Sequence, residues 1–401
     1  MALMPVPEAL ARLLDGTAPL PGETVTIDKA AWRVLASDIA ALRTQPPFDA
    51  SAMDGYAVRA ADVASAPVSL RIIGEAPAGK GFKGQVGPGE AVRIFTGAPV
   101  PQGADAVLIQ ENARAVSPVE VEALEPVAAL RNIRRAGLDF RTGEPLLEAG
   151  RILDAAALSL AAAANHATLP VVRRPRVAIL ATGDELLPPG SETGPDQIIA
   201  SNAYGVAAIV ERTGGVPLDL GIVRDDRSAI DAAVRRAIDA GADVIVTLGG
   251  ASVGDHDLVR EVLTSAGMSL DFWKIAMRPG KPLMFGRLGE VRVLGLPGNP
   301  VASLVCSHLF VAPLVARLAG RPHALDLRDA VLGVGMSEND QREDYVRARG
   351  EWRDGHLVAS PFPVQDSSML RTLAEANILI VRAPFAPAAP AGSPCRVVML
   401  R

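Results

Sequence analysis

Cysteine is nearly missing from this chain. Its 401 residues hold only Cys306 and Cys395, which excludes a disulfide framework and a thiolate metal cluster and suits a reducing compartment. A cytoplasmic protein is therefore expected. Histidine is scarce too, with five residues and none at metal-ligand spacing. Cys306 and His308 lie two apart on a predicted helix, so they do not share a face and are assigned to packing. Neither sign of charge is in excess: 40 basic residues against 45 acidic ones leave −5, and nothing in that field favours nucleic acid or an anionic membrane. No apolar run reaches the ~18 residues of a membrane span. Glu8 and Arg12 interrupt the first apolar stretch, which excludes the short core of a signal peptide. Dinucleotide fingerprints, Walker motifs, Ser-His-Asp and Cys-His arrangements are all lacking.

What is present is length, glycine and proline. At roughly 150 residues per domain the chain holds two to four domains, each able to bury a core. The 37 glycines and 32 prolines imply frequent tight turns, and with 49% hydrophobic residues disorder is not expected. Residues Pro7 to Leu14 form a short docking helix with Leu10, Leu13 and Leu14 on one stripe. From Pro46 to Gly150 short β-type runs, Ser69–Ile73, Ala91–Phe95 and Ala106–Ile109, read as a compact β domain. The Ala-rich helix Asp154 to Ala164 returns the chain to its first element. Between Arg173 and Arg321 the runs Val177–Leu180, Leu218–Val223, Val244–Leu248 and Val291–Leu296 alternate with helical patterns, which predicts a doubly wound parallel sheet. Ser228 with Asp231 resembles a capping box at one helix start. After Arg321, Tyr345–Arg349, Ile378–Val381 and Cys395–Leu400 predict a small C-terminal β domain. The fold class is thus α/β plus β.

Doubly wound sheets bind ligands outside the carboxyl ends of their strands, where loops feed helix N-termini. Three loops fit that position: Thr182-Gly183-Asp184-Glu185, the stretch Gly249 to Asp257, and Leu296-Pro297-Gly298-Asn299-Pro300. Their glycines let backbone amides approach a phosphate, and two of the loops also carry carboxylates. That combination points to a phosphate compound bound with Mg²⁺, because the acids alone would repel it. Lys274, Arg278 and Lys281 form a cationic strip suited to an oxyanion or phosphate.

Seven strings in order, Phe48–Ala57, Thr96–Asp105, Asn132–Arg135, Thr182–Leu186, Gly249–Gly254, Arg278–Pro282 and Leu296–Pro300, resemble the signature set of the molybdopterin molybdenumtransferase family, MoeA and the carboxy-terminal domain of gephyrin. The resemblance implies four domains in an L-shaped subunit: an elongated linker (1–45 and 140–170), a β domain (46–139), a molybdopterin-binding α/β domain (171–322) and a C-terminal β-barrel-like domain (323–401). It implies a homodimer whose active site is shared between subunits. The implied reaction inserts molybdate into adenylylated molybdopterin with release of AMP, completing molybdenum cofactor, with the upstream molybdopterin adenylyltransferase as a partner. The family's functional acids then fall on Asp54, Asp139, Glu185, Asp225 and Asp257, its threonine on Thr96, and its cations on Lys274, Arg278 and Lys281. Mg²⁺ is expected on Glu185 and Asp225. Gly249, Gly250, Ser252, Gly254, Pro297, Gly298, Asn299 and Pro300 are expected to bind the cofactor. At Arg278 the family often has Lys. A molybdopterin adenylyltransferase and a non-enzymatic scaffold of the same fold are the alternatives.

Overall fold

The computed structural model describes residues 3–249 and 258–400. The described chain divides into two compact units, one of Thr24–Ala31 with Ser37–Pro170, the other holding the remainder.

The first unit is built on a six-stranded sheet in the order 106–109, 55–58, 90–94, 68–76, 120–123 and 113–117. The three runs expected from the sequence are strands here, at Val68–Ala76, Glu90–Ile94 and Ala106–Ile109. The sheet's remaining members escape periodicity because they are short or, like Gly55–Val58, buried at every position. The Ala-rich helix spans Ala155–Ala163, and the Asp154 carboxylate caps it by accepting the Ala157 N–H at 2.9 Å.

The second unit carries the predicted sheet. Strands Val216–Val223, Arg176–Thr182, Val244–Leu248 and Val291–Leu296 run parallel in that order. Residues Val177, Ile179 and Ala181 face one helical layer, whereas Ala178 and Leu180 face the other with Ile230, Val234 and Val259. Alternation within one apolar run therefore covers both faces, as double winding requires. Beside these parallel strands the sheet carries an antiparallel edge. Met284–Leu288 pairs antiparallel with Val291–Leu296, and Ser269–Trp273 pairs antiparallel with it in turn. A two-residue turn at Gly289-Glu290 is too short for a crossover helix, so the edge is a meander.

Three further differences are local. Helix Arg227–Asp239 is capped by Asp226, which accepts from the Ala229 N–H and the Ser228 hydroxyl, so Ser228 supports the cap from inside the helix. Helix Val6–Leu14 buries Val6, Ala9 and Leu13 in the core of the sheet unit, while Leu10 and Leu14 of the expected stripe are only partly buried against it. Truncating the fully buried Leu13 to alanine costs about 2–5 kcal/mol by the usual cavity cost. Lastly, Pro300–Leu318 is long and apolar enough to cross a membrane, although no unbroken apolar run shows it; 83% of it is buried, as a core helix.

The C-terminal residues form a closed five-stranded barrel, Glu343–Arg353, His356–Pro361, Leu327–Leu332, Pro394–Met399 and Ile378–Arg382, the last pairing back to the first. Met277–Arg278, from the sheet side, adds to it in parallel with Glu343–Asp344.

Candidate functional site

The four parallel strands end at Thr182, Val223, Leu248 and Leu296, on one rim. There a cavity of about 670 Å³ opens among Thr182, Glu185, Asp225, Gly249 and Gly298. Close backbone approach explains Gly249. At Gly249 φ is +94°, and a Cβ would stand 2.8 Å from the Thr182 carbonyl oxygen; a Cβ on Gly298 would meet the Gly249 Cα at 3.8 Å. Of the three loops expected there, Thr182–Glu185 and Leu296–Pro300 reach the cavity, together with Gly249, the described residue of the third. Asn202, at the start of helix Asn202–Arg212, donates to the Gly298 carbonyl at 2.8 Å and fixes the Pro-Gly-Asn-Pro turn. The barrel contributes as well: Asn299 Nδ2 donates to Ser367 Oγ at 2.7 Å, and Ser368 lines the cavity.

One side of the cavity is acidic. The Asp225 backbone N–H reaches Asp184 Oδ1 at 3.4 Å. Partial desolvation, then the charges of Asp184 and Glu185, hold the Asp225 carboxyl above its ordinary range. Two helix starts also line the cavity: the first-turn amides at Asn202–Ala203 favour negative charge, whereas Pro300 has no N–H and the Val301 N–H is taken by the Ser367 carbonyl at 3.0 Å. One cavity thus offers cation-seeking acids and an anion-seeking helix start.

The cationic strip is divided among different partners. The Lys274 ammonium lies 3.9 Å from the Trp273 ring centroid, on a backbone with φ +73°. The Lys281 carbonyl accepts the Ile275 N–H at 2.9 Å, closing the loop, and its neighbour Pro282 lines the cavity. Arg278 points to the barrel, donating to Asp344, to Asn339 at 3.3 Å and to Asp340 at 3.5 Å. Its guanidinium is spent on carboxylates of this chain and binds the barrel to the sheet.

The β unit gathers three of the sequence strings around Asp49–Asp54. Ser51 and Ala50 pair with Ile133 and Arg134, the Gly97 N–H donates to the Ser51 carbonyl at 2.9 Å, and the Val100 N–H donates to the Asp49 carbonyl at 2.9 Å. Asp54 Oδ1 accepts the Thr96 N–H at 2.7 Å and the Thr96 hydroxyl at 2.8 Å. Those donors, with Arg93 nearby, hold the Asp54 carboxyl below its ordinary range. Asp139 is exposed, with its backbone N–H on the Gln45 carbonyl at 3.0 Å.

Of the residues expected from sequence, Glu185, Asp225, Gly249, Pro297, Gly298, Asn299 and Pro300 meet at the cavity, and Asp54 meets Thr96. Gly250, Ser252, Gly254 and Asp257 lie outside the described residues. Sequence reasoning did not single out Asn202, Ser368 or Arg93. Arg93 donates to the Gly55 carbonyl at 3.1 Å and Gln110 at 2.9 Å and lies about 5 Å from the Tyr56 and Phe95 rings, which steadies the Asp54 turn. Ser201 before a helix was a readable start signal for Asn202; nothing local marks the other two.

Comparison with known proteins agrees with this construction. Residues 4–165 match the MoeA N-terminal region (domain I and II), 178–317 the "Probable molybdopterin binding domain", and 329–400 the MoeA C-terminal region (domain IV). The chain belongs to the MoeA family. It is 37% identical to a molybdopterin molybdenumtransferase of Nostoc sp., over 90% of this chain and 84% of that one. To the Haemophilus influenzae protein of the same name it is 33% identical, covering 94% of each. A crystal structure of a molybdopterin biosynthesis MoeA protein from Pyrococcus horikoshii superposes with a TM-score of 0.83 at 30% identity, covering 100% of both chains. In this MoeA-family chain the cavity lies within the residues matched to the molybdopterin binding domain, except for Ser368 from the C-terminal region.

Proposed function

We propose that the chain inserts molybdate into an adenylylated molybdopterin and releases AMP. The transfer of molybdenum to molybdopterin goes with its family; the adenylylated substrate and the AMP are the finer reading. One observation carries it: a cavity of about 670 Å³ lined both by the helix start at Asn202 and by the acids Glu185 and Asp225. That volume suits a ligand of nucleotide or pterin size. The pterin's own sulfurs would receive the metal, in keeping with a chain whose Cys306 is buried and whose Cys395 is half-buried.

The acidic wall also fits Mg²⁺. Its donors are hard carboxylate oxygens that repel one another, and no group of three or more His, Cys, Asp and Glu among the described residues closes on an ion by itself. An ion held by Glu185 and Asp225 would therefore share its coordination with substrate phosphate and water, as Mg²⁺ commonly does. When bound it would neutralise charge on the anhydride. The residues' own work is to hold the phosphates against Gly249 and Gly298, to keep Asp225 and Glu185 open to the cavity, and to bring Asn299 and Ser368 to its edge.

The proposal extends to a homodimer with a shared site, as the resemblance to the family implies, in which Asp54 and Thr96 of one subunit would serve the rim of its mate. It extends also to a reducing, cytoplasmic setting and to supply by an adenylyltransferase. Purified protein should consume adenylylated molybdopterin and release AMP only when molybdate is present; AMP release without molybdate dependence refutes the reading. Mixing Asp54→Ala with Asp225→Ala chains should restore part of the activity, and no recovery despite demonstrated subunit exchange refutes the shared site.

A further inference from the structure

Four buried hydroxyls of the sheet unit, on Thr17, Thr182, Thr247 and Ser303, have no hydrogen-bond partner among the described residues. Burying a hydroxyl without a partner disfavours the fold, so each orphan asks for an explanation. Only Thr182 lines the rim cavity. It is 4% exposed and ends the central strand Arg176–Thr182. Its Oγ1 lies beside Gly249, 3.4 Å from where that residue's Cβ would stand, and Gly249 lines the same cavity. Valine would fill the same space without the unmet polar atom. A β-branched residue is what the strand needs; the hydroxyl is what it does not need.

We propose that Thr182 is a substrate-binding residue whose hydroxyl donates to a phosphate oxygen of the adenylylated substrate where it lies against Gly249. The surroundings select a phosphate over a neutral group. Glycine backbones at 249 and 298 allow close approach, and the helix start at Asn202 favours negative charge. Glu185 and Asp225, which line the same cavity, are acceptors and repel an anion, so an uncharged donor on the strand end supplies a contact that the acids do not. The inference rests on the adenylylated-substrate reading above.

The test is AMP binding in the presence of Mg²⁺, by calorimetry on the full chain, for the wild type, Thr182→Val, Thr182→Ser and Thr247→Val. Thr182→Val should weaken AMP about tenfold, the scale of one lost hydrogen bond to a charged group. Thr182→Ser should restore most of it, and Thr247→Val should bind as wild type. The Tm of Thr182→Val should equal or exceed that of the wild type, because an orphan has been removed; a merely structural hydroxyl would lower it. Where Thr182→Val does not fold, Thr182→Ala serves in the same titration with the same expected loss. Equal AMP affinity in Thr182→Val and wild type overturns the role of Thr182 and leaves the functional reading standing. No AMP binding by the wild type overturns both.

Discussion

Two aspartates in this molecule face opposite circumstances. Asp54 is met by donors from its own chain, the Thr96 N–H and hydroxyl, and its carboxyl is held below the ordinary range. Asp225 is met by two other acids and some loss of solvent, and its carboxyl is held above that range. The first is a finished anion whose position is set before any ligand arrives. The second is an unfinished one, a carboxylate that a cation would complete. Asp344 and Asp340 supply the contrast: they also crowd together, but the protein gives them Arg278 and Arg342. A cluster of acids that meets no such partner among the described residues is where a ligand's positive charge has room to act.

The comparison can be broken at either end. The largest effect is expected for Asp225→Ala or Glu185→Gln, which should lower turnover at limiting Mg²⁺ by about tenfold to a hundredfold, the scale for disturbed metal shells; unchanged turnover places the cation elsewhere. Thr96→Val removes one of Asp54's two donors and should cost about tenfold in kcat/KM. Its sign in pH follows from the hydrogen bond. Losing a donor to the charged form raises the Asp54 pKa, so the acid limb of the activity profile should move to higher pH, and a limb that stays put separates Asp54 from it. Arg278→Lys keeps the charge but loses the fork shared by Asp344, Asp340 and Asn339. It should cost about 1 kcal/mol of stability, read as a Tm lower by a few degrees, with little change in molybdate requirement. The smallest effect is on Asp225→Asn without metal. Because the folded pKa of Asp225 is raised, its ionisation opposes folding at neutral pH, and that penalty vanishes as the pH falls below the ordinary carboxylate pKa. The variant should therefore be more stable at pH 7, by about 1 °C after solvent screening, and equal to wild type near pH 3.

Much of this was readable before any coordinates. Three of the four parallel strands announce themselves because they are largely buried on both faces, the edge strand Val216–Val223 being mostly half-buried, and the three loops at their ends follow from the fold's geometry. The meander strand Met284–Leu288 was not readable: Gly286 and Arg287 break its pattern, and its direction depends on a two-residue turn. Arg278 was read as part of an anion-binding strip because its neighbours in sequence are cationic; its partners lie more than sixty residues away in the barrel. Asp54 was legible only as a member of a string. The reason for its ionisation, Thr96, stands forty-two residues further on. Local pattern reports what a residue's own segment buries, and long-range pairing decides which charges remain unmet.

The barrel is joined to the sheet at several separate places, by the ladder of Met277–Arg278 on Glu343–Asp344, by Ser367, whose hydroxyl and carbonyl take Asn299 Nδ2 and the Val301 N–H, and by Arg212, which donates to the Leu400 carbonyl at 3.1 Å. The covalent connection between them, residues 320–326, contains no helix or strand. Peptide continuity there is thus redundant. A protease nick in that connector should sever the chain and still leave the two fragments travelling together through a sizing column, so that the molecule behaves as one body held by its folded contacts.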